Sequence, residues 1–186
     1  MTSSDETVLR PGAIAEVAQT VGVSYEGAAS GPARVALVCA KFNGGITERL
    51  LDGALGGLKD LGVPLDTVAV AWVPGAVELP VAASRLLRSG DYDAVIALGA
   101  VIRGDTAHFD FVAGECAAGL QRVALDTGVP VIFGVLTTDT VAQATERAGP
   151  GKTNKGYEAA VTALEMVRLL EMLPRSTAET QRAGAL

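Results

Sequence analysis

His108 is the only histidine among 186 residues, and it stands in the run Ala97-Leu-Gly-Ala-Val-Ile-Arg-Gly-Asp-Thr-Ala-His-Phe-Asp110. An imidazole trades protons near neutrality, so acid–base chemistry in this chain has one natural seat. The run follows an apolar segment that reads as a buried strand, which puts His108 in a loop. Its company sets it apart from a structural histidine. Arg103-Gly104-Asp105-Thr106 is a glycine turn leading into a helix, and such a turn offers backbone N–H groups and a hydroxyl to an anion. Arg147 and Lys155 flank the last turn between helices and would complete an anion site if a neighbouring subunit presented them; ordinary surface ion pairing is the competing account. Glu78 opens a helix, where the dipole favours a carboxylate with or without a function.

Other chemistries find no footing. Gly151-Lys152-Thr153 lacks the earlier glycine of a phosphate-binding P-loop, since Glu146 stands there, and it follows a helical stretch rather than a strand. Gly99 to Gly104 is not Gly-x-Gly-x-x-Gly, and no Gly-x-Ser-x-Gly elbow occurs. One histidine and no acidic pair at ligand spacing leave too few groups for a metal site. Fifteen Lys and Arg against 21 Asp and Glu give a formal charge of -6, which offers no field for nucleic acid or an anionic membrane. Cys39 and Cys116 lie far apart, so neither a disulfide framework nor a zinc knuckle is indicated. The start lacks a basic region followed by a long apolar run, and nowhere do 18 uncharged apolar residues follow one another, so the cytoplasm is the expected compartment. A hydrophobic fraction of 49%, much of it alanine and valine, points to subunit interfaces.

The length fits one domain with its own core. Residues 1–30 are small, polar and glycine-dotted and read as an arm, partly disordered, in which only 13–23 is apolar enough to pair with anything. From Arg34 onward, β-branched runs alternate with alanine-rich stretches of helical period, the pattern of a parallel α/β sheet. Strands are predicted at 35–39, 67–73, 94–98 and 129–136. Helices are predicted at 47–61, 77–87, 111–124, 140–148 and 157–173. The domain thus spans 31–174, with 175–186 a flexible tail. In an open parallel sheet, ligands bind outside the carboxyl ends of the strands. The segments at those ends are 40–44, 72–78, 99–110 and 133–139. All four phenylalanines and the single tryptophan fall in or beside them, either as plugs for the end of the sheet or as a flat slot for a heterocycle.

Taken together, Lys41-Phe-Asn43, Ala71 to Pro80, Leu98 to Asp110, Gly134 to Asp139, Glu146 to Gly149 and Asn154-Lys-Gly156 resemble, in order and spacing, the signature blocks of the lumazine synthase family. The resemblance implies a three-layer, flavodoxin-like α/β/α fold with four parallel strands and an N-terminal arm that adds a strand to a neighbouring subunit. It implies condensation of 5-amino-6-(D-ribitylamino)uracil with 3,4-dihydroxy-2-butanone 4-phosphate, without cofactor or metal. His108 matches the acid–base histidine. Phe42 matches the ring that stacks on the pyrimidine; Ala76, Val77 and Glu78 hold the ribityl chain and ring edge, and Ala100, Val101 and Ile102 border the same pocket. Asp105, Thr106 and Arg147 match the phosphate site, while Phe133, Lys155 and Glu158 match residues an adjoining subunit contributes. Lys41 departs from the usual arginine, Val77 from phenylalanine, Ala107 from proline and Phe111 from tyrosine; Val77 trims an aromatic wall. The implied assembly is a homo-oligomer, a pentamer or an icosahedral 60-mer, with riboflavin synthase as a further partner. Two other readings share the fold: a non-catalytic flavin-binding or shell-forming paralogue, and an enzyme for a related pyrimidine. The presence of both His108 and Arg147 argues against the first.

Overall fold

In the computed structural model, which describes residues 9–10 and 12–174, the β-branched runs become four strands: β1 (Val35–Ala40), β2 (Ala69–Val73), β3 (Ala94–Ile102) and β4 (Val131–Thr138). All pair in parallel, in the order β2-β1-β3-β4. The helices are α1 (Ala13–Thr20), α2 (Gly44–Asp60), α3 (Leu79–Leu87), α4 (His108–Thr127), α5 (Val141–Arg147) and α6 (Lys155–Met172). The pleat sends alternate residues to opposite faces. Val35, Leu37, Cys39, Ile96 and Leu98 join Leu50, Leu58, Ala160 and Leu164 of α2 and α6, whereas Ala36, Val38, Val95 and Ala97 join Leu79, Ala83, Cys116 and Leu120 of α3 and α4. Three layers result, with a core on each face of the sheet. No helix of the described residues is long and apolar enough to cross a membrane.

The two thiols belong to these opposite cores, so the sheet separates them. Burial pushes Cys39 up to about 12 and Cys116 up to about 11, which keeps both protonated at neutral pH. A disulfide reagent such as Ellman's is therefore expected to leave the native protein unlabelled at pH 8 and to label both thiols once denaturant unfolds it.

Helices α2 and α6 touch backbone to backbone. A Cβ on Gly156 would lie 1.8 Å from the Leu50 carbonyl oxygen, and one on Gly57 2.9 Å from the Ala160 methyl. Gly156→Ala would gain helix propensity worth about 1 kcal/mol, but a main-chain carbonyl cannot retreat as a side chain can. Overpacking wins, and the variant should lose about 3 kcal/mol of stability by denaturant melting. An unchanged midpoint would mean that the two helices part freely.

Several boundaries depart from the sequence expectation for identifiable reasons. Helix α2 begins at Gly44 rather than 47, because Asn43 takes a left-handed backbone (φ 57) and its carbonyl receives the Ile46 and Thr47 N–H groups. Helix α4 begins at His108 rather than 111, so His108 is a first-turn helical residue and not part of a loop. The Ala107 carbonyl takes the Asp110 N–H, and the Thr106 hydroxyl accepts from the His108 N–H at 3.4 Å. The start of the second predicted strand, around 67, is instead a 3-10 turn at Leu65–Thr67. Residues 13–23, expected to pair with a neighbour's sheet, hold helix α1 followed by backbone without ladder partners; none of α1 is buried. An eight-residue helix with no packed face draws little stability from itself. The extended stretch after it is fastened instead: a Cβ on Gly27 would meet the Glu165 carbonyl of α6 at 1.9 Å, and Arg168 donates to the carbonyls of Ser30 and Pro32. Of the expected arm at 1–30, residues 1–8 and 11 lie outside the described residues, as does the whole expected tail at 175–186.

Candidate active site

The strand order places a reversal between β1 and β3, since the chain leaves β1 toward β2 on one side and returns to β3 on the other. Loops diverge at such a point and leave a crevice at the carboxyl ends. The register widens it here. β1 and β3 pair only as far as Cys39 and Leu98, while β3 and β4 remain paired to Ile102 and Thr138. Beyond Leu98, β3 has lost its β1 neighbour, and the Asn43 side chain takes up part of that edge by donating Nδ2 to the Ala100 carbonyl at 2.8 Å.

A cavity of roughly 510 Å³ occupies this crevice, lined by Phe42 after β1, Gly75 to Glu78 after β2, Ala100 to Ile102 at the end of β3, and Gly104, Thr106, His108, Phe109 and Val112 beyond it. Most of the residues expected to meet a pyrimidine with its ribityl chain thus share one wall. The Phe42 ring is 71% exposed, open to stack on an incoming plane. Val77 is exposed and Ala76 buried. Glu78 precedes α3 without any side-chain capping bond, so its carboxylate is not engaged in holding the helix start. His108 is exposed, and its ring makes no hydrogen bond among the described residues. The Asp105 side chain does not line the cavity, although its neighbours Gly104 and Thr106 do.

The remaining expected residues are elsewhere. Phe133, Arg147, Lys155 and Glu158 line a separate groove of roughly 530 Å³ that runs along β4, the outer strand of the sheet, and shares no residue with the His108 cavity. Arg147 donates to the Gln143 carbonyl of its own helix at 3.2 Å and makes no ion pair among the described residues. Lys155 pairs with Glu158 at 2.6 Å, both side chains nearly half exposed. An exposed pair one helical turn apart contributes at most about 1 kcal/mol, so a ligand anion could draw Lys155 away cheaply. The expected site residues of one chain therefore fall in two separate hollows.

A sequence model described as 6,7-dimethyl-8-ribityllumazine synthase matches residues 32–171. A protein of that name from Edwardsiella ictaluri is 55% identical over 152 residues, 81% of this chain and 97% of the relative. Those of Pectobacterium atrosepticum and Yersinia pestis are 56% and 54% identical, over 80% of this chain and 97% and 96% of theirs. This chain belongs to the 6,7-dimethyl-8-ribityllumazine synthase family. The region that matches the family begins just before β1 and ends in α6, so it takes in both the cavity and the groove and leaves α1 outside.

Only two of the five residues expected to plug the sheet end or form a slot meet at the cavity. Phe42 and Phe109 line the cavity, while Trp72 on the outer strand β2, Phe111 on α4 and Phe133 on β4 are exposed away from it. Arg103 is committed to structure: it bonds Asp110 and Asp139, each at 3.1 Å, and its guanidinium lies 4.1 Å over the Phe109 ring. It braces the start of α4 and thus the turn that carries His108. Phe109 and Arg103 were missed as supports because their partners lie on separate elements; the adjacency of Arg103 to the glycine turn was the only sequence signal.

Proposed function

We propose that this protein acts in the cytoplasm to condense 5-amino-6-(D-ribitylamino)uracil with 3,4-dihydroxy-2-butanone 4-phosphate, giving 6,7-dimethyl-8-ribityllumazine, phosphate and two molecules of water, the penultimate step of riboflavin biosynthesis. The observation that carries the reading is the convergence of Phe42, Ala76 to Glu78, Ala100 to Ile102 and His108 on one cavity at the strand reversal. Phe42 stacks on the pyrimidine. Glu78 receives hydrogen bonds from the ribityl hydroxyls, and the main chain of Ala100 to Ile102 meets the ring edge. The amine adds to the ketone and loses water to form an imine, phosphate is eliminated, and the second amine closes the ring with loss of the other water. Each step moves a proton, and His108 receives or supplies it. The N–H groups of Asp105 and Thr106 face the phosphate, which a carboxylate side chain would repel, and Arg147 supplies its counter-charge. Holding the two reactants aligned contributes about 7–11 kcal/mol in well-oriented systems.

Phe133, Arg147, Lys155 and Glu158 reach the cavity from an adjoining protomer. The unpaired outer edge of β4, with its groove, is the kind of surface that an assembly covers. A closed ring follows when each subunit offers one half-site to each side, and a pentamer is the assembly proposed. Purified protein mixed with the two substrates should raise lumazine absorbance faster than the spontaneous reaction. No increase over the spontaneous rate would overturn the proposal.

A further inference from the structure

The turn between α5 and α6 contains a buried amide that the proposed reaction does not use. Asn154 is 3% exposed. Its Oδ1 accepts from the Gly156 N–H at 2.7 Å and caps α6, while its Nδ2 donates to the Gly149 carbonyl at 2.8 Å and to the Arg49 carbonyl in α2 at 3.0 Å. Both hydrogens of the amide are spent. Opposite it stands Gly53, where a Cβ would fall 2.2 Å from Oδ1, so α2 closes directly onto the amide plane.

Capping alone does not account for an asparagine here, since serine, threonine or aspartate also caps a helix with one oxygen. The two donors are what only an amide adds. The donors hold Gly149, two residues beyond Arg147, and Arg49 in α2, while the oxygen holds Gly156, next to Lys155, so that one rigid plane joins three pieces of backbone. We propose that Asn154 is a positioning residue, whose two donors set the spacing of Arg147 against Lys155 and so the strength with which the β4 groove holds the phosphate of the substrate. The inference rests on the function proposed above, in which that groove faces a neighbour's His108 cavity.

Two substitutions separate the donors from the cap. Asn154→Asp keeps the shape and the oxygen for Gly156, and a carboxylate is welcome at a helix start, but it turns charge rather than N–H groups toward two carbonyls. Asn154→Ser keeps a cap and, without adding charge, removes both amide N–H donors, leaving one hydroxyl on a side chain too short to span both carbonyls. In both, KM for the butanone phosphate should rise about tenfold or more, while kcat and KM for the pyrimidine stay within about twofold. Inorganic phosphate, titrated by calorimetry, should bind more weakly in parallel. Lowering the pH should restore phosphate affinity in Asn154→Asp relative to the unsubstituted protein, because protonation returns one donor, and should give no such recovery in Asn154→Ser. Unchanged phosphate affinity in both variants would overturn the assignment. So would equal losses in kcat and both KM values that track a lowered melting temperature. If the unsubstituted protein binds phosphate yet makes no lumazine, the functional reading fails, and the calorimetry of the two variants still decides the role of Asn154.

Discussion

His108→Ala is expected to slow lumazine formation by about 10²–10⁴-fold, the range that a positioned proton-transfer group contributes. The ring is exposed and makes no hydrogen bond among the described residues, so its removal leaves no cavity and no orphaned partner. The melting temperature and the mass of the assembly should therefore match the unsubstituted protein. Some rate over the spontaneous reaction should persist, because the cavity still brings the two reactants together. The loss should appear in kcat, with KM for the pyrimidine changed little, since Phe42, Glu78 and Ala100 to Ile102 remain in place. Full activity in the variant would remove His108 from the mechanism. A comparable loss accompanied by dissociation of the assembly would instead make it an interface residue.

The alternation of β-branched runs with alanine-rich helical periods made the four strands and their parallel arrangement legible, because the central strands β1 and β3 are buried on both faces and helices α2 to α6 each bury one. Where single contacts decide, the pattern is silent. Gly44-Gly45 lies ahead of the helix expected from 47, yet α2 starts there, because Asn43 adopts a left-handed backbone that its side-chain bond to Ala100, 57 residues away, holds in place. His108 reads as a loop residue because it follows a buried strand, and no propensity announces that the Thr106 hydroxyl receives its N–H. Nor does spacing reveal that Asn154 reaches Arg49, 105 residues away. The apolar patch at 13–23 reads as a segment for extended pairing, yet Ala13–Thr20 forms the helix α1. Of the candidate site residues, His108, Thr106, Glu78, Arg147 and Lys155 stand out by residue type and local context, and the others are legible only through resemblance. Their division into a His108 cavity and a β4 groove depends on strand order, which sequence spacing does not encode.

That division allows a test which neither half-site permits alone. Arg147→Ala should weaken the phosphate substrate by about 2–3 kcal/mol, roughly a hundredfold in KM, and the pyrimidine far less, because the guanidinium faces only the anion. Equal losses for both substrates would misplace it. At a phosphate-substrate concentration well below the raised KM, this variant and His108→Ala are each nearly inactive. If a working site takes His108 from one protomer and Arg147 from the next, refolding the two variants together in equal amounts rebuilds some intact sites. The chance that the cavity belongs to an Arg147→Ala chain is one half, and the chance that the adjoining groove belongs to a His108→Ala chain is also one half. About a quarter of the unsubstituted activity should return in randomly mixed rings. Chains bearing both substitutions should return none, and a mixture that stays at the level of its parents would place both residues in one protomer's site. The same mixture, made after each variant has assembled separately, should remain inactive until subunits exchange, so the rate at which activity appears measures how tightly the β4 groove and the His108 cavity are held against each other.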